Sequence, residues 1–344
     1  MRRVRIGITI GDPAGIGPEI VLKALTAGLS PRILPFVIGD ARILERAQGS
    51  VGMGPRIQRI GSAAEARGES GRVEVLDLAN ADPARCPVGC LSPEAGRAAV
   101  EAVFRAADLA MAGEIDAMVT APLHKEAMDQ AGFPYRGHTE LLAERTATQD
   151  YAMLLMVKPL RVVHVSTHVA LREACALVTR ERVLTVIRLA KGAAKALKIP
   201  GARIGVAGLN PHAGEHGLFG TEEATYIRPA IVAAQGEGIN VEGPISPDTL
   251  FTRALRGEFD FIIAMYHDQG HVPLKLIGFD RGVNVTLGLP IIRTSVDHGT
   301  AFDIAGKGIA SARSLIEAIR LAARLAVNAP RGKGGQRAKG SAAS

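Results

Sequence analysis

Apolar and polar positions change period several times along this chain. Residues 4–10 alternate and are rich in β-branched side chains, as a buried strand requires. GDPAGIGPE breaks that run. From Pro18 to Ala27 the apolar spacing is helical, with Pro18 in the first turn and Glu19 beside it, a good helix start. A second strand is predicted at 33–38, whereas 50–90 is rich in Gly and Pro and predicts no element. An Ala-rich amphipathic helix follows at 93–113, then a strand at 116–120 running into APLHKEAM. Further strands are predicted at 152–157, 161–166, 203–209 and 261–265, and helices at 179–198, 220–235 and 311–326. Strand, loop and helix in repeated alternation predict an α/β fold. Residues 267–310 carry Gly, Pro, His, Asp and Arg at high density, and such polar loops are where sites are built.

Composition narrows the function classes. The chain has 344 residues, enough for two α/β domains, and 47% hydrophobic residues, enough for a large core. Tryptophan is absent and aromatics are 4%, which disfavours a base-stacking surface. The net charge is +7, but Arg331, Lys333, Arg337 and Lys339 stand in an acid-free tail; without them 37 basic residues face 34 acidic ones. The body is thus nearly neutral, and 331–344 reads as a disordered basic tail rather than a nucleic-acid partner. Cys86, Cys90 and Cys175 are too few for a thiolate zinc site and suit reduced thiols in the cytoplasm. No apolar run is long enough to span a membrane.

Nine histidines are present, and six fall in pairs spaced by four: His164/His168, His212/His216 and His267/His271. The pairs do not read as helical. His168, His212 and His267 each follow a predicted strand, and ligands collect along the rim where strands of an α/β sheet end. A lone histidine is ordinarily a packed core residue, as His164 within VVHVS is expected to be. Three at successive strand ends predict a shared divalent ion. Imidazoles favour zinc; cobalt and magnesium are the other candidates.

A basic group, Lys275, Asn284 and Arg293, lies among apolar strands, and His138 and Thr139 in RGHTE add small polar donors. Lys and Arg with an amide suit a buried phosphate or carboxylate. Asp248 in SPDTLF and Asp268 in YHDQG flank the presumed metal loops and are candidates for proton transfer or for orienting a histidine; Asp248 is equally suited to a helix start. GDPAGIGPE is neither a GxGxxG nor a Walker loop and reads only as a ligand-facing turn. The small-residue loop DHGTAFDIAGKGIA, with Asp303 and Lys307, leads into the last helix.

Taken together, GDPAGIGPE, TAPLHKEA, GHTELLA, GLNPHAGE, SPDT, YHDQGH and GVNVTLGLPIIRTSVDHGTAFDIAGKG resemble the 4-hydroxythreonine-4-phosphate dehydrogenase family, over nearly the whole chain. The family includes a branch acting on D-threonate or D-erythronate 4-phosphate. The resemblance implies an α/β fold of two domains with mixed sheets, like isocitrate and isopropylmalate dehydrogenases, with the active site in the interdomain cleft. The expected domains are 1–133 plus 295–330, and 134–294. It implies a metal held by His168, His212 and His267, the first two from one subunit and the third from its homodimer partner. Substrate would be held by His138, Thr139, Lys275, Asn284 and Arg293. NAD or NADP would be held by the loop with His298, Gly299, Thr300, Asp303, Gly306 and Lys307. Asp248, Asp268 and Lys275 are the candidate catalytic groups. The implied reaction oxidises the C3 hydroxyl of 4-hydroxythreonine 4-phosphate and then releases carbon dioxide, giving 3-amino-2-oxopropyl phosphate for pyridoxal phosphate biosynthesis. The sister branch would give dihydroxyacetone phosphate. A relative dehydrogenates a terephthalate dihydrodiol without a phosphate. Rival classes are a metal-dependent hydrolase or aldolase, and a sugar-acid-binding module; the cofactor-like loop 298–308 sets the dehydrogenase apart.

Overall fold

The computed structural model describes residues 3–52 and 54–329; the expected basic tail lies outside them. Twelve strands form one sheet: β1 (Val4–Thr9), β2 (Ile33–Gly39), β3 (Arg56–Ile60), β4 (Arg72–Asp77), β5 (Ala117–Thr120), β6 (Ala152–Val157), β7 (Leu160–His164), β8 (Ile204–Ala207), β9 (Val241–Ile245), β10 (Phe261–Ala264), β11 (Val283–Leu287) and β12 (Arg293–Val296). Their order is β3-β4-β2-β1-β5-β12-β11-β6-β7-β10-β8-β9. β1 is buried on both faces except at Arg5, as expected for a central parallel strand covered by helices. The helices Gly17–Thr26, Pro93–Met111, Arg180–Ala196 and Arg313–Asn328 supply that cover.

The sheet joins two parallel groups of strands through antiparallel pairs. β3, β4, β2, β1, β5 and β12 are mutually parallel, as are β7, β10, β8 and β9. Between the groups, β12 to β11, β11 to β6 and β6 to β7 are all antiparallel. Three reversals leave β12 and β7 opposed. The loops after β1, β5 and β12 therefore follow strands of opposite sense to those that precede the loops after β7, β8 and β10.

Two expectations need correction. Residues 50–90 contain the parallel edge pair β3 and β4, hidden from pattern reading because β3 (RIQRI) is short, polar and largely exposed. Residues 267–278 are not loop: His267–Gly278 is a helix of 12 residues, with Pro273 inside it. The His267/His271 pair is thus helical after all, and the two rings stack with centroids 3.7 Å apart. Among the described residues no helix is long and apolar enough to cross a membrane.

Candidate active site

Arg293 opens β12 and is buried to 2% exposure. Its Nε and Nη2 both donate to Thr120 Oγ1, at 3.2 and 2.7 Å, and Nη1 donates to Thr286 Oγ1 at 3.0 Å. Three of the five guanidinium protons are thereby used, and one remains on each terminal nitrogen. Among the described residues no carboxylate bonds it, although Glu140 lies near enough for its charge to favour the cation. Burial pulls the guanidinium down from 12.5 to about 9, so it stays cationic at neutral pH. A charge buried among hydroxyls alone carries a desolvation penalty of several kcal/mol, which an anion would offset. Thr139, in the first turn of helix His138–Arg145, lies 3.5 Å from Thr286 hydroxyl to hydroxyl. Nε2 of His138 is sealed from solvent without a partner, and burial together with the Arg293 charge holds its pKa well below the usual histidine range. His138 is therefore a neutral group beside a cation. Oδ1 of Asn284 is likewise buried and unpartnered.

Lys275 sits elsewhere. Its ammonium donates to the Asp297 carbonyl at 2.6 Å and pairs with Asp297 Oδ2 at 2.5 Å. The helix His267–Gly278 runs back across the sheet, carrying Lys275 about 12 Å from His267 along its axis. Lys275 thus meets Asp297, just past the end of β12, where the 298–308 loop begins.

His168, His212 and His267 follow β7, β8 and β10, which are adjacent and parallel. The His168 and His267 rings lie 5.8 Å apart. Nδ1 of His168 is buried without a partner, and burial and the charge of Lys125 push its pKa down to about 4. It is neutral at pH 7, with a lone pair free for a cation. His267 Nδ1 meets the exposed Asp268 at 2.6 Å, and His212 Nδ1 lies 4.0 Å from Asp248 Oδ2. Asp248 is exposed in the first turn of helix Pro247–Leu255, where Ser246 Oγ donates to it at 2.6 Å and lowers its pKa. Imidazole donors suit a late divalent ion. Among the described residues, however, no three His, Cys, Asp or Glu side chains of one chain converge to hold one.

His212 stands in unusual backbone. His212, Ala213, Gly214, Glu215 and His216 all have positive φ, between 39° and 79°. Left-handed backbone costs about 1–2 kcal/mol for each of the four non-glycine residues, so other contacts must hold it.

The 298–308 loop packs on the first turn of the chain. Ile16 N donates to the Thr300 carbonyl at 2.9 Å. Buried Glu19 accepts from the amides of Gly308 and Ala310 and from Lys23, which itself donates to the carbonyls of residues 308 and 310. Gly306 and Gly308 take positive φ, and Gly299, Asp303 and Lys307 are exposed. His298 Nε2 is buried without a partner. Pattern reading missed two neighbours of this loop. Asp12 is fully buried, accepts from Ala14 N at 2.8 Å, leaves Oδ2 unpaired, and is raised by burial to about 6. His124 caps helix Lys125–Gln130 and stacks on Phe302 at 4.7 Å. Both stand in the quoted motifs GDPAG and TAPLHKEA, so their turn positions were the available signal. Gly11 (φ 75°) is required there, since a Cβ would come 2.5 Å from the Pro122 carbonyl.

Comparison with known proteins shows the family. The profile of the family described as "Pyridoxal phosphate biosynthetic protein PdxA" matches residues 32–322. The chain belongs to that family. A D-threonate 4-phosphate dehydrogenase of Salmonella typhimurium is 49% identical over 329 residues, covering 95% of this chain and 100% of that one. The structure of a 4-hydroxythreonine-4-phosphate dehydrogenase from Klebsiella pneumoniae superposes with TM-score 0.86 at 45% identity, over 95% and 98% of the two chains. A terephthalate 1,2-cis-dihydrodiol dehydrogenase from Burkholderia xenovorans is more distant, with TM-score 0.65 and 30% identity over 94% and 98%. The fold is the mixed α/β fold of these PdxA-type dehydrogenases, and the chain is an oxidoreductase of that type.

Proposed function

We propose that this protein oxidises a hydroxyl of a four-carbon acid phosphorylated at C4, using NAD or NADP and a divalent metal, with loss of carbon dioxide. D-threonate 4-phosphate is put first as substrate, ahead of 4-hydroxythreonine 4-phosphate, because relatives at nearly half identity carry that name. The observation that supports the reading best is Arg293: a buried guanidinium bonded only to hydroxyls, with two N–H groups left for an oxyanion. Thr139 and neutral His138 would complete the phosphate contacts, and Asn284 would orient the substrate. A phosphate gripped there supplies binding energy remote from the reacting carbon. His168, His212 and His267 would hold the metal, and the 298–308 loop the nucleotide. A divalent ion there supplies Lewis acidity, and the nicotinamide a hydride acceptor. Asp268, exposed and bonded to His267, and Asp248, near His212, are the candidate proton acceptors. Lys275, held by Asp297, would act from the cofactor side. The active unit would be a homodimer sharing its sites, as the family resemblance implies, with one of the three histidines coming from the partner.

The test is NAD(P)H formation with D-threonate, D-erythronate and 4-hydroxythreonine 4-phosphates, each with both nucleotides and with zinc, cobalt or magnesium. Turnover only with phosphorylated acids supports the reading, and the best kcat/KM names the substrate. No reduced nucleotide with any of them, from zinc-loaded protein, favours a hydrolase or aldolase.

A further inference from the structure

We propose that Glu223 is a positioning residue for His212: a buried carboxylate that holds the left-handed turn and so sets where the imidazole lies. The proposal rests on the reading of His212 as a metal ligand. Glu223 is only 4% exposed. Its Oε1 accepts from the backbone amides of Leu209 and Asn210, at 2.8 and 2.7 Å, and its Oε2 from Asn210 Nδ2 at 3.0 Å. With Gly208, these two residues link β8 to the turn that carries His212. A buried carboxylate is costly unless such donors satisfy it, so the acid and the turn depend on each other. Packing is equally close from the far side of the turn. A Cβ on Gly214 would lie 2.6 Å from Glu223 Oε2, and one on Gly208 would lie 3.2 Å from Oε1. Glu223 itself opens a π-helical segment, Glu223–Ile227, ahead of the α-helix Arg228–Gly236. A π segment adds a residue to the helical turn and re-aims the side chains within it.

Nothing in the turn's own composition accounts for its shape. Five successive residues, four of them non-glycine, adopt positive φ, and the amides of Leu209 and Asn210 that lead into the turn are both bonded to this one carboxylate. An amide side chain could not replace it. Gln at 223 would accept both backbone bonds on its oxygen but turn its NH2 toward the NH2 of Asn210, donor against donor.

The experiment uses the full-length protein, Zn²⁺ as the probe and a chromophoric chelator as competitor, with amide hydrogen exchange read over residues 209–217. Glu223→Gln is expected to weaken zinc binding about 10- to 100-fold, the range for partners that orient a metal-bound histidine, and, because repulsion from Asn210 Nδ2 pulls the Gln side chain away from the two backbone amides, to speed exchange at Leu209 and Asn210. Gly214→Ala, which drives a methyl into the same carboxylate, is expected to do likewise and carries the test should Glu223→Gln not fold. Ile38→Val, a core change in the other half of the sheet, is expected to lower Tm without altering zinc affinity, which separates positioning from general destabilisation. His212→Ala identifies the ligand independently. If His212→Ala loses affinity while Glu223→Gln and Gly214→Ala keep it, the proposal is overturned. If His212→Ala binds zinc as tightly as the unaltered protein, the ligand reading itself falls, and the role of Glu223 falls with it.

Discussion

Arg293 is where a single residue carries most of the chemistry. Its fork is held by Thr120 and Thr286, so Lys, which keeps the charge but not the geometry, should be a poor substitute. Arg293→Ala and Arg293→Lys are expected to raise the KM for the phosphorylated acid about 30-fold or more while leaving the nucleotide KM nearly unchanged; steady-state kinetics with each substrate varied checks this. An equal rise in both constants would remove Arg293 from the phosphate. Asp12 makes a different prediction, about stability. Its carboxyl is raised from 3.8 to about 6 by burial, so the folded state disfavours its charged form. Below pH 3.8 the group is neutral folded or unfolded and the penalty is absent; it grows as pH rises and is complete above about 6, at a size on the order of 3 kcal/mol. Asp12→Asn should therefore match the unaltered protein in Tm near pH 4 and exceed it increasingly up to pH 7. A Tm difference that does not change with pH would contradict the burial account. The motif containing Asp12 was legible as a ligand-facing turn. The burial of its carboxyl was not, because burial depends on strands far away in sequence.

At the scale of elements, the loop 298–308 and the helix His267–Gly278 are the informative pieces. The loop's small residues made it recognisable, but its anchor is Glu19 on the first helix, about 290 residues earlier. Glu19→Ala should free Gly308 and Ala310 and leave Lys23 without its carboxylate. Faster tryptic cleavage after the exposed Lys307, and a higher KM for the nucleotide than for the acid, are the expected readouts. Unchanged cleavage would mean that the Thr300 and Phe302 contacts suffice. The helix was unreadable for a plain reason. His, Asp and Gly stand in its first turn and Pro273 lies within it, all poor helix formers. Tertiary packing overrides that composition: Leu274 is fully buried, and Gly270 lies so close against His164 that no Cβ would fit. His164, expected to be a satisfied core histidine, is buried with Nδ1 3.4 Å from the Met153 carbonyl and Nε2 without a partner.

At the scale of the molecule, the nucleotide-side and histidine-side loops come from strands of opposite sense in one sheet, with the antiparallel β11 and β6 between them. The same helix that starts at His267 leaves Val272 and Leu276 exposed, Leu276 at 82%, with Phe279 exposed just past its end. Apolar surface beside the site is what a second subunit would cover. Leu276→Glu is expected to shift the protein toward monomer in sedimentation velocity and to lower zinc affinity and activity together. The stricter check mixes two inactive variants. If the site is shared, His168→Ala and His267→Ala refolded together should regain about a quarter of normal activity, because half the dimers are mixed and each holds one intact site. No recovery would assign His168 and His267, 5.8 Å apart within one chain, to the same site without exchange.

Local patterning was enough for most strands and long helices, because the periods of 2 and 3.6 residues are properties of neighbouring side chains. It also marked the three histidines at strand ends, and Arg293 as a charge among apolar residues. It did not reach whatever depends on strand order: the hydroxyl clamp on Arg293, the shift of Lys275 to Asp297, the buried acids Asp12, Glu19 and Glu223, or the left-handed turn at His212. Those are set by residues tens to hundreds of positions apart meeting in a low-dielectric interior, where an unpaired polar group is costly enough to dictate its partner.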